Sequence, residues 1–281
     1  MIAKFLRLAV IGALLLVVVE NRNAALFARR QDAATQSIEA RKLLDEGVEA
    51  YKDGQIDGAI ADFQRAKDLD PTLLNAQLHL ATAYSGQYIP GVTSPENAVH
   101  GEKALHEFKQ ILEKYSDNLS AIDGAGSILY NMASSPFDAS KLEESKSYQR
   151  KHIELKPEDP EPYYWIGVID WNIAYRANRS LREDHNQSPE ATGPLPPALA
   201  MEFQQKYGEI VDEGITSMRK AMELRSDYED AMAYLNLLYH QKADMEVSSG
   251  AREADVKTAD DLVDEVRAIK ARKMNSSQGP Q

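Results

Sequence analysis

The folding options of this chain narrow most sharply at residues 40–71, ARKLLDEGVEAYKDGQIDGAIADFQRAKDLDP. Ile56, Ala59, Ile60, Phe63, Ala66 and Leu69 fall three or four apart, which lays one apolar stripe along a helix. Leu43, Leu44, Gly47, Val48 and Tyr51 do the same over the first half. Lys52-Asp53-Gly54-Gln55 lies between them as a tight turn, so the segment reads as a helical hairpin. Gly47 and Ala59 are small where the two helices must approach, and Phe63 is the large residue that fills the space beside them. Asp70 is placed to cap a following helix, with Pro71 at its first position, where the missing N–H costs nothing. A lone hairpin cannot bury both of its faces, so this unit requires neighbours stacked on it.

Gly47, Ala59-x-x-x-Phe63, Ala66 and Pro71 stand at the spacing of the tetratricopeptide repeat (TPR), and the segment resembles one such repeat. Leu43 stands where Trp is common in the family and Glu46 where Leu is usual. The resemblance implies an all-α fold, a right-handed α-solenoid of stacked hairpins. It continues to about Lys242 with growing departures from the pattern. Leu74, Leu78, Leu80, Ala81 and Tyr84 stripe the next first helix, and Ala104-x-x-x-Phe108 repeats the small–large pair after a Pro- and Gly-rich loop at 87–97. The third unit has Gly126 at the close-packing site, but Ser145 and Gln149 where the family favours Ala and an aromatic. The fourth carries Tyr163 and Gly167 on the family spacing, continues through Ile173 and Tyr175, and is then interrupted at 184–197, a polar stretch expected to be a disordered loop. Leu199 to Leu224 and Tyr228 to Lys242 are again helical, with Asp227 as the cap of the latter. Residues 37–245 are therefore expected to hold the repeats, and 246–281 a terminal capping helix with one wet face followed by a frayed tail.

Residues 1–30 read as a separate segment. Lys4 and Arg7 precede the apolar run Leu8 to Val19, which has signal-peptide length and is short for a membrane span. No clean small-x-small site follows, so cleavage stays open, as does the alternative of an uncleaved anchor flanked by Arg22, Arg29 and Arg30. The expectation is an exported or inner-membrane-anchored protein of a bacterial cell envelope whose N-terminal segment contacts or crosses the membrane.

The same sequence is poor in chemistry. With no cysteine it has no disulfide, thiolate nucleophile or thiolate metal site. Its six histidines show no H-E-x-x-H spacing, and no P-loop, G-x-S-x-G or G-x-G-x-x-G occurs. A net charge of −12 argues against a nucleic-acid partner. No catalytic residue, metal or cofactor is expected.

What remains is the groove that first helices line in a TPR stack. By that resemblance its inward residues include Leu44, Val48, Tyr51 and Lys52, then Asn75, Leu78 and Thr82, then Asp123, Ser127, Tyr130 and Asn131. Tyr164, Val168, Trp171 and Asn172 follow in the fourth unit, with Leu235 and Tyr239 in the fifth. Tyr51, Tyr130, Tyr164, Trp171 and Tyr239 would form an aromatic stripe, a residue type enriched in binding hot spots. Leu44 and Val48 occupy positions where the family's carboxylate clamp needs Lys and Asn, so a chaperone-tail receptor is disfavoured. The function implied is a non-catalytic scaffold or adaptor that holds a protein, peptide or partner helix. The alternative is an enzyme or small-ligand-binding protein with its site between the two insertions.

Overall fold

The computed structural model describes residues 27, 29–134, 136–190 and 193–277. The leader at 1–30 and the tail at 278–281 fall almost wholly outside them. Among the described residues no helix is long and apolar enough to cross a membrane.

The described residues form ten helices with no strand beyond one isolated bridge, Ser134 to Phe137. α1 covers 29–52, α2 Ile56–Leu69, α3 Leu74–Gln87, α4 Pro95–Lys114 and α5 Leu119–Met132. α6 covers Ala139–Leu155, α7 Pro160–Asp184, α8 Pro197–Leu224, α9 Glu229–Met245 and α10 Ser249–Ser277. From α2 onward each helix packs on the next, and α3 also touches α5 as α7 touches α9. This is an all-α solenoid of five helical hairpins, with the odd-numbered helices as the first helices.

The small–large pairs set the spacing between layers. A Cβ on Gly47 would come 2.6 Å from the Phe63 ring, so only glycine admits that ring, which stacks on His79 of α3 with centroids 5.3 Å apart. Phe108 uses its neighbour: its ring lies over Gly124 at the start of α5 and leaves no room for a Cβ there. Met218 covers Gly167 in the same way, 2.6 Å from where a Cβ would sit. Ala59, Ala104 and Phe63 are all but inaccessible to solvent. In the third hairpin polar side chains replace this apolar fit. The Gln149 amide lies 2.7 Å from the Cβ position of Gly126, and Ser145 Oγ donates to the Gly126 carbonyl at 2.7 Å.

Several boundaries differ from the sequence expectation, each for a local reason. Asp70 does not cap α3, and Pro71 is not its first residue. Asp70 Oδ1 accepts from the Thr72 N–H at 3.0 Å and from its hydroxyl at 2.6 Å, a closed turn that delays α3 to Leu74. Asp227 does not cap α9 either, and its carboxylate pairs with Lys273 of α10 at 3.1 Å. The insertion at 87–97 is partly absorbed into α4, which starts at Pro95 with Ser94 Oγ accepting from the Asn97 N–H. Asn97 then closes the loop by bonding Ile89 and Val92 backbone atoms.

The largest departure is at 176–197. α7 runs on to Asp184 because its buried edge becomes polar without ceasing to be helical. Arg182, 3% exposed, donates to Asn178 Oδ1 at 2.8 Å, the Gly193 carbonyl at 2.8 Å and Asp244 at 3.0 Å. Asn178 reaches Asp244 and Gln241 of α9. Leu195 is buried in the core shared by α7, α8 and α9. The described part of the segment expected to be disordered is thus tied down at both ends. The terminal helix α10 buries Ala259, Leu262 and Ile269, while Val263 is exposed.

Candidate functional site

The first helices α5, α7 and α9 share one face, and aromatic rings cross it in unbroken contact. Tyr130 of α5 meets Trp165 of α7 edge-on, with centroids 5.4 Å apart. Trp165 meets Tyr164 at 5.5 Å, and Tyr164 meets Tyr234 of α9 at 5.8 Å. Tyr234 meets Trp171 at 5.3 Å, and Trp171 stacks on Tyr175 at 5.1 Å. Tyr175 is exposed and the other five rings are half-buried. Edge-to-face pairs place the positive rim of one ring on the negative face of another, so the rings hold one another in place while still offering surface. Burial pushes the Tyr164 and Tyr234 hydroxyls above the usual phenol range, so both stay protonated at neutral pH.

Of the stripe expected from sequence, Tyr130, Tyr164 and Trp171 belong to this chain of rings. Tyr51 stands apart at the other end of the solenoid, beside Gly86 of α3. Tyr239 is not on the face: it is 5% exposed and its hydroxyl accepts from Arg219 of α8, because α9 turns that edge toward the second helix of the preceding hairpin. Val168 and Leu235 are likewise core. Trp165, Tyr234 and Tyr175 escaped the reading. Trp165 and Tyr164 are adjacent and flank one groove position, and Tyr234 precedes Leu235, so choosing one edge of each helix discarded the other.

Two cavities open beside the rings. One of about 250 Å³ lies between α5, α6 and α7, lined among others by Asp123, Ser127, Tyr130, His152 and Trp165. The other, about 560 Å³, follows the outer half of α7 past Phe137, Trp171, Tyr175, Arg176 and Arg179. Arg176 sits 4.8 Å above the Phe137 ring and Arg179 5.6 Å from the Tyr175 ring centre, both in cation–π geometry.

Behind this face the array contains a buried charge cluster. Lys146 Nζ, 2% exposed, lies 2.7 Å from Asp170 Oδ1, 3.1 Å from Glu213 and 3.3 Å from Glu143. Burial pushes the Asp170 carboxyl up to about 7, and the adjacent ammonium limits the rise. Burial acts to lower the Lys146 ammonium, but Asp170 and Glu213 outweigh it and hold it above the usual lysine range. The cluster sits between α6, α7 and α8. The 700 Å³ cleft that includes Pro194 of the second insertion is otherwise lined by α9 and α10. Among the described residues no group of three or more His, Asp and Glu is arranged to hold a metal ion.

No protein-family model matches the chain, and no curated protein matches it. Solved structures do share its architecture. A double mutant of MamA RS-1 superposes with a TM-score of 0.54 at 14% identity, over 84% of this chain and 96% of that one. MamA residues 41 to the end from Desulfovibrio magneticus RS-1 gives 0.53 at 14% identity, over 83% and 96%. YrrB, described as a TPR protein with an unusual peptide-binding site, gives 0.50 at 13% identity, over 83% and 90%. The chain folds as a TPR array. Identities this low carry the fold and nothing finer. Within the TPR array, the ring-bearing face belongs to the first helices of hairpins three to five.

Proposed function

We propose that this TPR array is a non-catalytic interaction scaffold that takes a peptide or a partner helix across the face of α5, α7 and α9. The observation that carries the reading is the unbroken run of rings from Tyr130 to Tyr175, partly exposed and supplied by three consecutive first helices. A large, rigid aromatic surface gives up little conformational freedom on binding, which is why such residues dominate binding hot spots. YrrB, with its peptide-binding site, supports a peptide as the class of ligand.

The leader adds a location to the proposal. Its basic start and apolar run Leu8 to Val19 support export or inner-membrane anchoring in a cell envelope, with the array as the exposed part. Protease accessibility of the 185–196 loop in intact cells decides which side of the membrane it faces.

The interaction reading is tested by replacing Trp171 and Tyr175 with alanine and measuring partner capture beside far-ultraviolet circular dichroism. Loss of the captured partner with helicity retained supports it. Equal capture by parent and folded variant removes it.

A further inference from the structure

We infer that the cavity between α5, α6 and α7 is a receptor for one basic side chain, Lys or Arg, of the peptide that the ring-bearing face takes up; this rests on the scaffold reading. The cavity lies where Tyr130 and Trp165 begin the run of rings, so a segment lying on the face passes its mouth. Exposed Asp123 and Ser127 stand at that mouth.

Three features fit a cation. The first is the wall: Tyr130 and Trp165 meet at 63°, and indole is the side chain whose face attracts a cation most strongly. The second is charge. Asp123 and Glu161 line the cavity and Asp159 borders His152, whereas the cation on these groups besides that imidazole is Arg225, 2.9 Å from Glu161. Leaving the imidazole aside, Asp123, Asp159, Glu161 and Arg225 sum to −2, on a chain of net charge −12. An anionic side chain would be repelled by this charge.

The third is a buried ring nitrogen without a hydrogen-bond partner. His152 is 5% exposed and its Nδ1 lies 2.6 Å from Asp123 Oδ1. A carboxylate only accepts, so in the neutral ring Nδ1 carries the proton and Nε2 presents a lone pair. That Nε2 has no hydrogen-bond partner, and Asp159 Oδ2 lies 3.4 Å from it. A buried polar atom without a partner is rare and costly. An incoming ammonium or guanidinium N–H would satisfy it, with Asp123, 49% exposed at its side chain, supplying the counter-charge.

Selection of a displayed library of random twelve-residue peptides against the full chain tests this. Enriched peptides should carry Lys or Arg at one fixed position. Replacing that residue by citrulline, a neutral isostere of Arg, should weaken binding roughly tenfold or more. Asp123→Asn should erase most of the difference between the two peptides, and Glu161→Gln should reduce it. In a Trp171→Phe protein, where Trp165 is the sole indole, the basic peptide should shift the fluorescence and its citrulline analogue should not. Enriched peptides that lack a basic position and depend on Trp171 would overturn the receptor and leave the scaffold reading standing. A selection that enriches nothing would overturn both.

Discussion

Removing the Lys146 ammonium alone should be among the most damaging single changes in this array, and its pH dependence should identify why. Lys146→Met keeps most of the side-chain volume but leaves Asp170, inaccessible to solvent, with no cation beside it. Breaking a buried pair from one side costs roughly 3–5 kcal/mol, because the remaining charge is neither solvated nor paired. Asp170 escapes that penalty only by taking up a proton. Its folded pKa, already near 7 with the lysine present, must then rise further, while the unfolded carboxyl titrates near 3.8. The folded state therefore binds more protons than the unfolded one throughout that window, so stability falls as pH rises. Lowering the pH from 7 to 5 should raise the variant's own stability by about 2.7 kcal/mol, at about 1.4 kcal/mol per pH unit, and the parent, whose Asp170 already titrates near 7, should gain nearly as much. The double variant Lys146→Met/Asp170→Leu should recover most of the loss at pH 7, since an apolar pair of similar volume is often neutral or better. Urea unfolding followed by tryptophan fluorescence reads this directly, because Trp165 and Trp171 both lie on the helix that carries Asp170. A loss below roughly 1 kcal/mol, or a variant whose own stability does not rise between pH 7 and pH 5, would refute the argument.

Other sites answer to different forces. Gly124→Ala should cost roughly 1–3 kcal/mol, because the new methyl meets the Phe108 ring and overpacks the α4–α5 contact. Gly54→Ala, at φ +77° with open space around it, should cost only about 1 kcal/mol of backbone strain, so equal losses at the two glycines in thermal melts would contradict the packing account. Arg182→Ala removes the cation beside Asp244, the donor to Asn178 Oδ1 and the donor to the Gly193 carbonyl, so limited proteolysis within 185–196 should accelerate while cleavage at 88–94 stays unchanged.

How much was legible in the sequence follows from which force holds each hairpin. Hairpin one packs through Gly47, Ala59 and Phe63, residue types whose size and spacing declare their role, and its helices fall where the periodicity places them. Hairpin three is held in part by Ser145 on the Gly126 carbonyl and Gln149 over Gly126, and a buried hydrogen bond leaves no hydrophobic period to detect. The outer turns of α7 fail for the same reason: the residues they bury include Asn178 and Arg182, so a continuing helix looks like the start of a loop. Lys146 reads as a solvated charge until Asp170 of the next helix is seen against it. On the ring-bearing face, the family resemblance brought in Tyr130, Tyr164 and Trp171, but it could not show that α9 turns Tyr239 inward and Tyr234 out. The cavity at His152 is built from side chains of three successive helices, and no local pattern announces it.

The most direct measurement places a photo-crosslinking amino acid, benzoylphenylalanine, in the native chain in its own cells. One variant carries it at Tyr175, on the ring-bearing face, and another at Val99, exposed on α4 among the second helices. A discrete crosslinked partner from position 175 that is absent from position 99, and is lost when Trp171→Ala is added, is the result this account predicts. Crosslinks from position 99 alone, or crosslinks at 175 indifferent to Trp171, would contradict it.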